Sequence, residues 1–159
     1  MTVTMTINGS PHVLEVEPGE ILLDTLRREG FHGVKRGCET ATCGSCVVLV
    51  DNVPHFSCAM YAASMEGRSI TTIEAMGTPN EPHPIMQAFM EEAGVQCGYC
   101  IPGMLLSTKA LLDENPHPTE PEVREALDAH LCRCTGYVKQ VKGVMRAAEL
   151  MAAKGKEGA

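Results

Sequence analysis

Eight cysteines carry the chemistry of this chain, and they fall into two groups of four. Cys38, Cys43, Cys46 and Cys58 form the first group, and Cys97, Cys100, Cys132 and Cys134 the second. Thiolates are soft ligands suited to iron–sulfur clusters and zinc, and thiols can also pair as disulfides. The N-terminus lacks a basic stretch followed by an apolar one, so no signal peptide is read there. No apolar run approaches the roughly 18 residues of a membrane span. A soluble, cytoplasmic protein is the expectation, and in a reducing compartment ordered cysteines are more often metal ligands than disulfides.

Spacing separates the options for the first quartet. Cys38-x4-Cys43-x2-Cys46, with eleven residues between Cys46 and Cys58, matches the plant-type 2Fe-2S ferredoxin pattern. Three thiolates wrap the cluster from one tight loop, and a fourth closes it from a neighbouring element. Gly37 and Gly44 beside the ligands allow close backbone approach. The competing readings are a disulfide pair and a structural zinc. Zinc usually takes two Cys-x(2–4)-Cys knuckles rather than three crowded ligands and an isolated one.

The second quartet, Cys97-x2-Cys100 with Cys132-x-Cys134, is less usual. Alone, its Cys-x-x-Cys is ambiguous between a redox dithiol, half a zinc knuckle and half a cluster site. Cys100 precedes a helix expected from about Pro102 to Asp113, and Cys132-Arg133-Cys134 lies in a later helix break. A four-thiolate 2Fe-2S centre is anionic, and free N–H groups with the positive dipole end of a helix suit it. Arg133, and Lys35-Arg36 before Cys38, either offset that charge or are simply solvated.

The elements that must position these thiols are readable in outline. Thr2 to Ile7 alternates as a strand, Asn8-Gly9 signals a hairpin, and Val13 to Val16 returns. Ile21, Leu22, Thr25 and Leu26 recur at helical spacing, with Gly30 as C-cap. Residues 33–46 read as a loop, Cys46 to Val50 as a buried strand turned by Asp51-Asn52, and Ser69 to Ile73 as a last strand. Three prolines within 77–84 mark a linker.

Beyond the linker the periodicity is helical. Ile85, Met86, Phe89 and Met90 share one face, which Gly94 ends. Thr119-x-x-Glu122 is a capping box for a stripe of Val123, Ala126, Leu127, His130 and Leu131. Val138, Val141, Val144, Met145 and Ala148 mark a fourth helix, with Lys139, Lys142 and Arg146 on its solvated side. The fold class is α+β: a ferredoxin-like β-grasp domain over 1–76, a linker over 77–84, a four-helix bundle over 85–153, and a frayed tail over 154–159. Two domains of about 75 residues have thin cores and need staples. A net charge of -7 and pI near 5.3 argue against a nucleic-acid surface.

Three stretches together carry a resemblance over about residues 2 to 150. Cys38-Glu39-Thr40-Ala41-Thr42-Cys43-Gly44-Ser45-Cys46, Gln96-Cys97-Gly98-Tyr99-Cys100-Ile101-Pro102-Gly103-Met104 and Leu131-Cys132-Arg133-Cys134-Thr135-Gly136-Tyr137 resemble the small iron–sulfur subunit of the molybdenum hydroxylases. That is the family of xanthine dehydrogenase, aldehyde oxidoreductase and carbon monoxide dehydrogenase. Many members have a glycine-rich stretch in the first motif and Ala after its Cys-Gly, where this chain has Glu39 to Thr42 and Ser45.

The resemblance implies two 2Fe-2S clusters. It places the helical one near a molybdopterin cofactor in a large subunit and the other nearer a flavin, usually FAD in a medium subunit. It implies that Gln96 contacts the pterin and that Cys134 lies beside the pterin amino group. Electrons would pass from substrate through molybdenum and pterin to the two clusters and the flavin, with substrate chemistry on another chain. Gln96 read without the resemblance is an ordinary loop residue. Tyr99 reads as packing beside the cluster, and His130 as core. Two other functions compete: a free-standing two-cluster ferredoxin, and a zinc-stapled interaction module.

Overall fold

The structure is a computed structural model that describes residues 1–157, with side chains described through residue 153. The expectation of a frayed tail from Lys154 therefore falls outside the described side chains. No helix among the described residues is long and apolar enough to cross a membrane.

The N-terminal half is a five-stranded mixed sheet in the order β2-β1-β5-β3-β4. Strand β1 (Thr2–Ile7) pairs antiparallel with β2 (Ser10–Glu15). Its alternation places Val3, Met5 and Ile7 in the core. Asn8 and Gly9 both take positive φ, 51° and 80°, as the tight hairpin turn requires. Helix α1 (Leu22–Arg28) buries Leu22, Leu23 and Leu26 on one side of the sheet. Strands β3 (Val47–Val50) and β4 (Val53–Phe56) form a second hairpin, and β5 (Ser69–Thr71) runs parallel to β1 and antiparallel to β3. The last strand is shorter than expected, because Ile73–Ala75 turns as a single 3₁₀ turn.

Strand β3 is the hinge of the architecture. Val48 and Val50 pack into the sheet–α1 core, whereas Val47 and Leu49 pack into the helical core. All four residues are buried, which explains why the strand is apolar without alternation. The two halves therefore share a strand rather than merely touching.

The helical half comprises α2 (Pro84–Glu91), α3 (Ile101–Glu114), α4 (Glu120–Leu127) and α5 (Val138–Glu157). Phe89, Met104, Leu106, Val123, Leu127 and Val144 lie in its core. The expected linker is an ordered loop, with Thr78 and Glu81 exchanging backbone hydrogen bonds of 3.1 and 3.2 Å and Met76 buried in the helical core.

Three local readings are corrected. Met90 is 59% exposed and Ala88 takes its place in the core. Helix α2 is closed not by Gly94 but by the residue before it. Ala93 adopts φ 52°, with its N–H bonded to the Met90 carbonyl and the Gly94 N–H to the Phe89 carbonyl, a Schellman arrangement. Helix α4 stops at Leu127, so the stripe does not continue: His130 is buried, but Leu131 is 60% exposed. Leu131 instead lends its backbone to the site.

Candidate iron–sulfur centres

All eight cysteines are free thiols. Among the described residues, no three His, Cys, Asp or Glu side chains converge on a single ion position. The thiols instead gather in couples, two to each expected quartet.

In the first quartet, the loop between α1 and β3 brings Cys38, Cys43 and Cys46 together, and a 3₁₀ turn over Ser57–Ala59 brings Cys58. The Cys38 thiol contacts that of Cys43, and Cys58 contacts Cys46. Ser57 holds the fourth position in place, its hydroxyl donating to the Cys46 carbonyl at 2.7 Å. The backbone N–H groups of Thr42, Thr40 and Cys43 converge on Cys38 and pull its pKa down to about 5. Burial, with the neighbouring Cys46 thiol, pushes Cys58 up to about 11. The loop is thus a cradle of N–H donors around sulfur, the environment an anionic cluster needs.

The second quartet is assembled from three elements. Cys100 is the N-cap of α3, with Cys97 just before it, and Cys132 and Cys134 come from the loop between α4 and α5. Cys100 couples with Cys132, and Cys97 with Cys134. The first couple is inward, the second at the surface, where Cys97 and Cys134 are both exposed. Burial pushes Cys100 up to about 12. At Cys132 burial is the largest effect and raises the pKa. The Thr135 hydroxyl and N–H, the Cys134 N–H and the Gln140 amide outweigh it and bring the thiol down to about 7.

The loop around Cys132 and Cys134 is pinned across the chain. The Tyr137 hydroxyl accepts from the Cys132 N–H at 2.7 Å, and Gln96 Nε2 donates to the Cys134 carbonyl at 3.3 Å. Gln96 is exposed beside the surface thiol couple. Arg133 lines, with Cys43, Cys97, Cys100 and Cys132, a cleft of about 260 Å³ between the two quartets.

The two sites are clamped to each other. Leu131 N–H donates to the carbonyl of Cys43 at 3.0 Å, linking the neighbour of one site's thiol directly to a residue of the other site. The Tyr99 hydroxyl donates to the Arg36 carbonyl at 2.6 Å, and Lys35 lies over the Tyr99 ring at 5.4 Å from its centre. Tyr99 is thus an inter-half contact as well as packing. Arg36 pairs with Asp24 and Glu39, so its charge is largely met within its own half.

Gly44 and Gly103 explain how close this contact is. Gly44 has φ +73°, and a Cβ there would strike the His130 ring and the Ala129 carbonyl. A Cβ on Gly103 would strike the Gly44 carbonyl. His130 fills the seam: Nε2 bonds the Ser107 hydroxyl at 2.8 Å, while Nδ1 lies against the Gly44 backbone without a well-formed hydrogen bond. Burial holds its pKa down to about 4, so the ring is neutral packing rather than a cation beside the sites.

Two functional positions escaped the sequence reading: Gln140 against the second quartet, and the Leu131 backbone. The only signal for the first was a polar residue on the inward side of α5, between Tyr137 and Val141.

The chain is similar to known proteins over nearly its whole length. The 2Fe-2S iron-sulfur cluster binding domain matches residues 5–68, and the 2Fe-2S binding domain matches residues 72–145. The chain is 42% identical to a nicotinate dehydrogenase subunit of Pseudomonas putida, over 93% of this chain and 95% of the relative. It is 41% identical to the nicotinate dehydrogenase small FeS subunit of Eubacterium barkeri, over 94% and 96% of the two chains. A chain of quinoline 2-oxidoreductase from Pseudomonas putida 86 superimposes with a TM-score of 0.91 at 40% identity, covering 96% of each. On these likenesses, with a ferredoxin-like half and a helical half each presenting four thiols, the chain belongs to the family of iron–sulfur electron-transfer subunits of the molybdenum hydroxylases.

Proposed function

We propose that Cys38, Cys43, Cys46 and Cys58 ligate one 2Fe-2S cluster and that Cys97, Cys100, Cys132 and Cys134 ligate a second. The chain then relays electrons from a molybdopterin-bearing large subunit toward an FAD-bearing medium subunit. When bound, the clusters supply one-electron redox chemistry; the protein supplies their ligands, their spacing and the docking faces. The observation that carries the reading is the hydrogen bond of 3.0 Å from Leu131 N–H to the Cys43 carbonyl. It gives a continuous covalent and hydrogen-bonded bridge from a thiol of the first site to the residue preceding Cys132 in the second.

The exposed couple Cys97 and Cys134, with Gln96 beside it, supports a docking face for the pterin side. In this reading Gln96 hydrogen-bonds the pterin while its other contact fixes the Cys134 carbonyl. A groove of about 460 Å³ lined by Met86, Met90, Leu105 and Val95, the residue before Gln96, would offer apolar surface to the large subunit. The helical half is read as a four-helix bundle, with domain limits of 1–76 and 85–153 around an ordered linker at 77–84. A cytoplasmic location follows from the reducing environment that free cluster ligands require.

Iron and acid-labile sulfide analysis tests the assignment: about four of each per chain are expected, with two distinct 2Fe-2S electron paramagnetic resonance signals on reduction. Zinc without sulfide overturns it. Gln96→Ala in the assembled complex should keep both signals while slowing reduction of the helical cluster from the molybdenum side. Loss of that signal would instead make Gln96 structural.

A further inference from the structure

Gln140 occupies the first turn of α5 with its side chain fully buried, at 0% exposure. Its helical neighbours on that inward side, Val141 and Val144, are apolar core. An amide in such a place costs about 1–3 kcal/mol unless its hydrogen bonds are met, whereas an apolar residue would fill it without that cost. The two ends of the amide are treated differently. Nε2 lies 3.8 Å from Cys100 Sγ, while Oε1 has no partner among the described residues. Reversing the amide would aim Oε1 at the Cys100 thiolate, so the sulfur contact decides the orientation.

We propose that Gln140 is a redox-positioning residue of the second site, donating an N–H hydrogen bond to the Cys100 thiolate and raising that cluster's reduction potential. Donors to sulfur favour the more negative state, so they favour the cluster after it accepts its electron. The amide is enclosed, which strengthens its hydrogen bond to sulfur relative to one made in water. The donor makes the helical cluster a better electron acceptor than its ligands alone would make it.

The inference rests on the second quartet holding a 2Fe-2S cluster, and the test separates the two claims. In the purified complex, a potentiometric titration followed by electron paramagnetic resonance should show the helical signal of Gln140→Leu shifted to lower potential. The N-terminal signal and the iron and sulfide content should not change. An unshifted helical signal with both clusters intact overturns the role of Gln140. Absence of the helical signal in the unsubstituted complex overturns the cluster assignment itself.

Should Gln140→Leu lose its cluster, wild-type complex labelled with 15N in glutamine side chains decides the matter. Pulsed resonance of the reduced helical cluster should show a 15N coupling that survives Gln96→Leu, and its absence overturns the proposal.

Discussion

The two thiol sites solve one problem in opposite ways. The first is mainly one loop: Cys38, Cys43 and Cys46 lie within nine residues, the backbone N–H groups that meet Cys38 come from the same loop, and only Cys58 is supplied from elsewhere, by the turn over Ser57–Ala59. The second is a crossing of segments: Cys97 and Cys100 at the start of α3, and Cys132 and Cys134 before α5. It is tied by Gln96 to Cys134, Tyr137 to Cys132 and Gln140 to Cys100. A local loop can hold its shape with little help from the rest of the chain. A crossing exists only while the helices around it are packed, so cluster and tertiary structure should support each other more strongly there.

Cys100→Ser against Cys38→Ser should break this comparison most visibly. Both should halve the iron content, but only Cys100→Ser should also loosen the helical half, costing about 3 kcal/mol or more by thermal unfolding. Equal destabilisation would show that the two sites are structurally equivalent.

Next in size is Gly103→Ala. Its Cβ cannot coexist with the Gly44 carbonyl, so the halves must separate slightly at about 2–3 kcal/mol. The spin coupling between the reduced clusters should weaken while each signal keeps its own shape. Unchanged coupling would mean that Gly103 does not set the spacing of the sites.

Tyr99→Phe removes the hydroxyl bonded to the Arg36 carbonyl and keeps the ring under Lys35, so about 0.5–1 kcal/mol should be lost with both clusters retained.

Smallest is Glu122→Gln at the N-terminus of α4, far from either site. The Thr119 hydroxyl and N–H hold the Glu122 carboxylate below the ordinary range. A depressed carboxylate stabilises the fold above its unfolded pKa and loses that contribution as pH falls through the folded one. The wild-type advantage over Glu122→Gln in melting temperature should therefore shrink on acidification, with no effect on either cluster signal.

Much of the molecule was legible because its causes are local. The Asn8-Gly9 turn, the alternation of Val3, Met5 and Ile7, the Thr119–Glu122 capping box and the spacing of the first quartet each need only neighbouring residues. The second quartet was legible as a set of residues through its resemblance to a family, but not as a geometry.

Tertiary structure decided what depends on distant partners. Periodicity cannot show that Val47 and Leu49 serve one core and Val48 and Val50 another, since that requires a helical layer behind the sheet. Nor can it show that Met90 faces outward, or that α2 closes through Ala93 rather than Gly94. The contact of Gly44 with Gly103 and His130 brings together residues far apart in the chain, and the burial of Gln140 against Cys100 spans 40 positions. By itself the sequence determined where the thiols lie along the chain and, in outline, which segments are strand or helix, because residue type and local periodicity are properties of short stretches. How the two sites meet, and that Gln140 of α5 reaches the sulfur of Cys100, was decided only by packing between stretches.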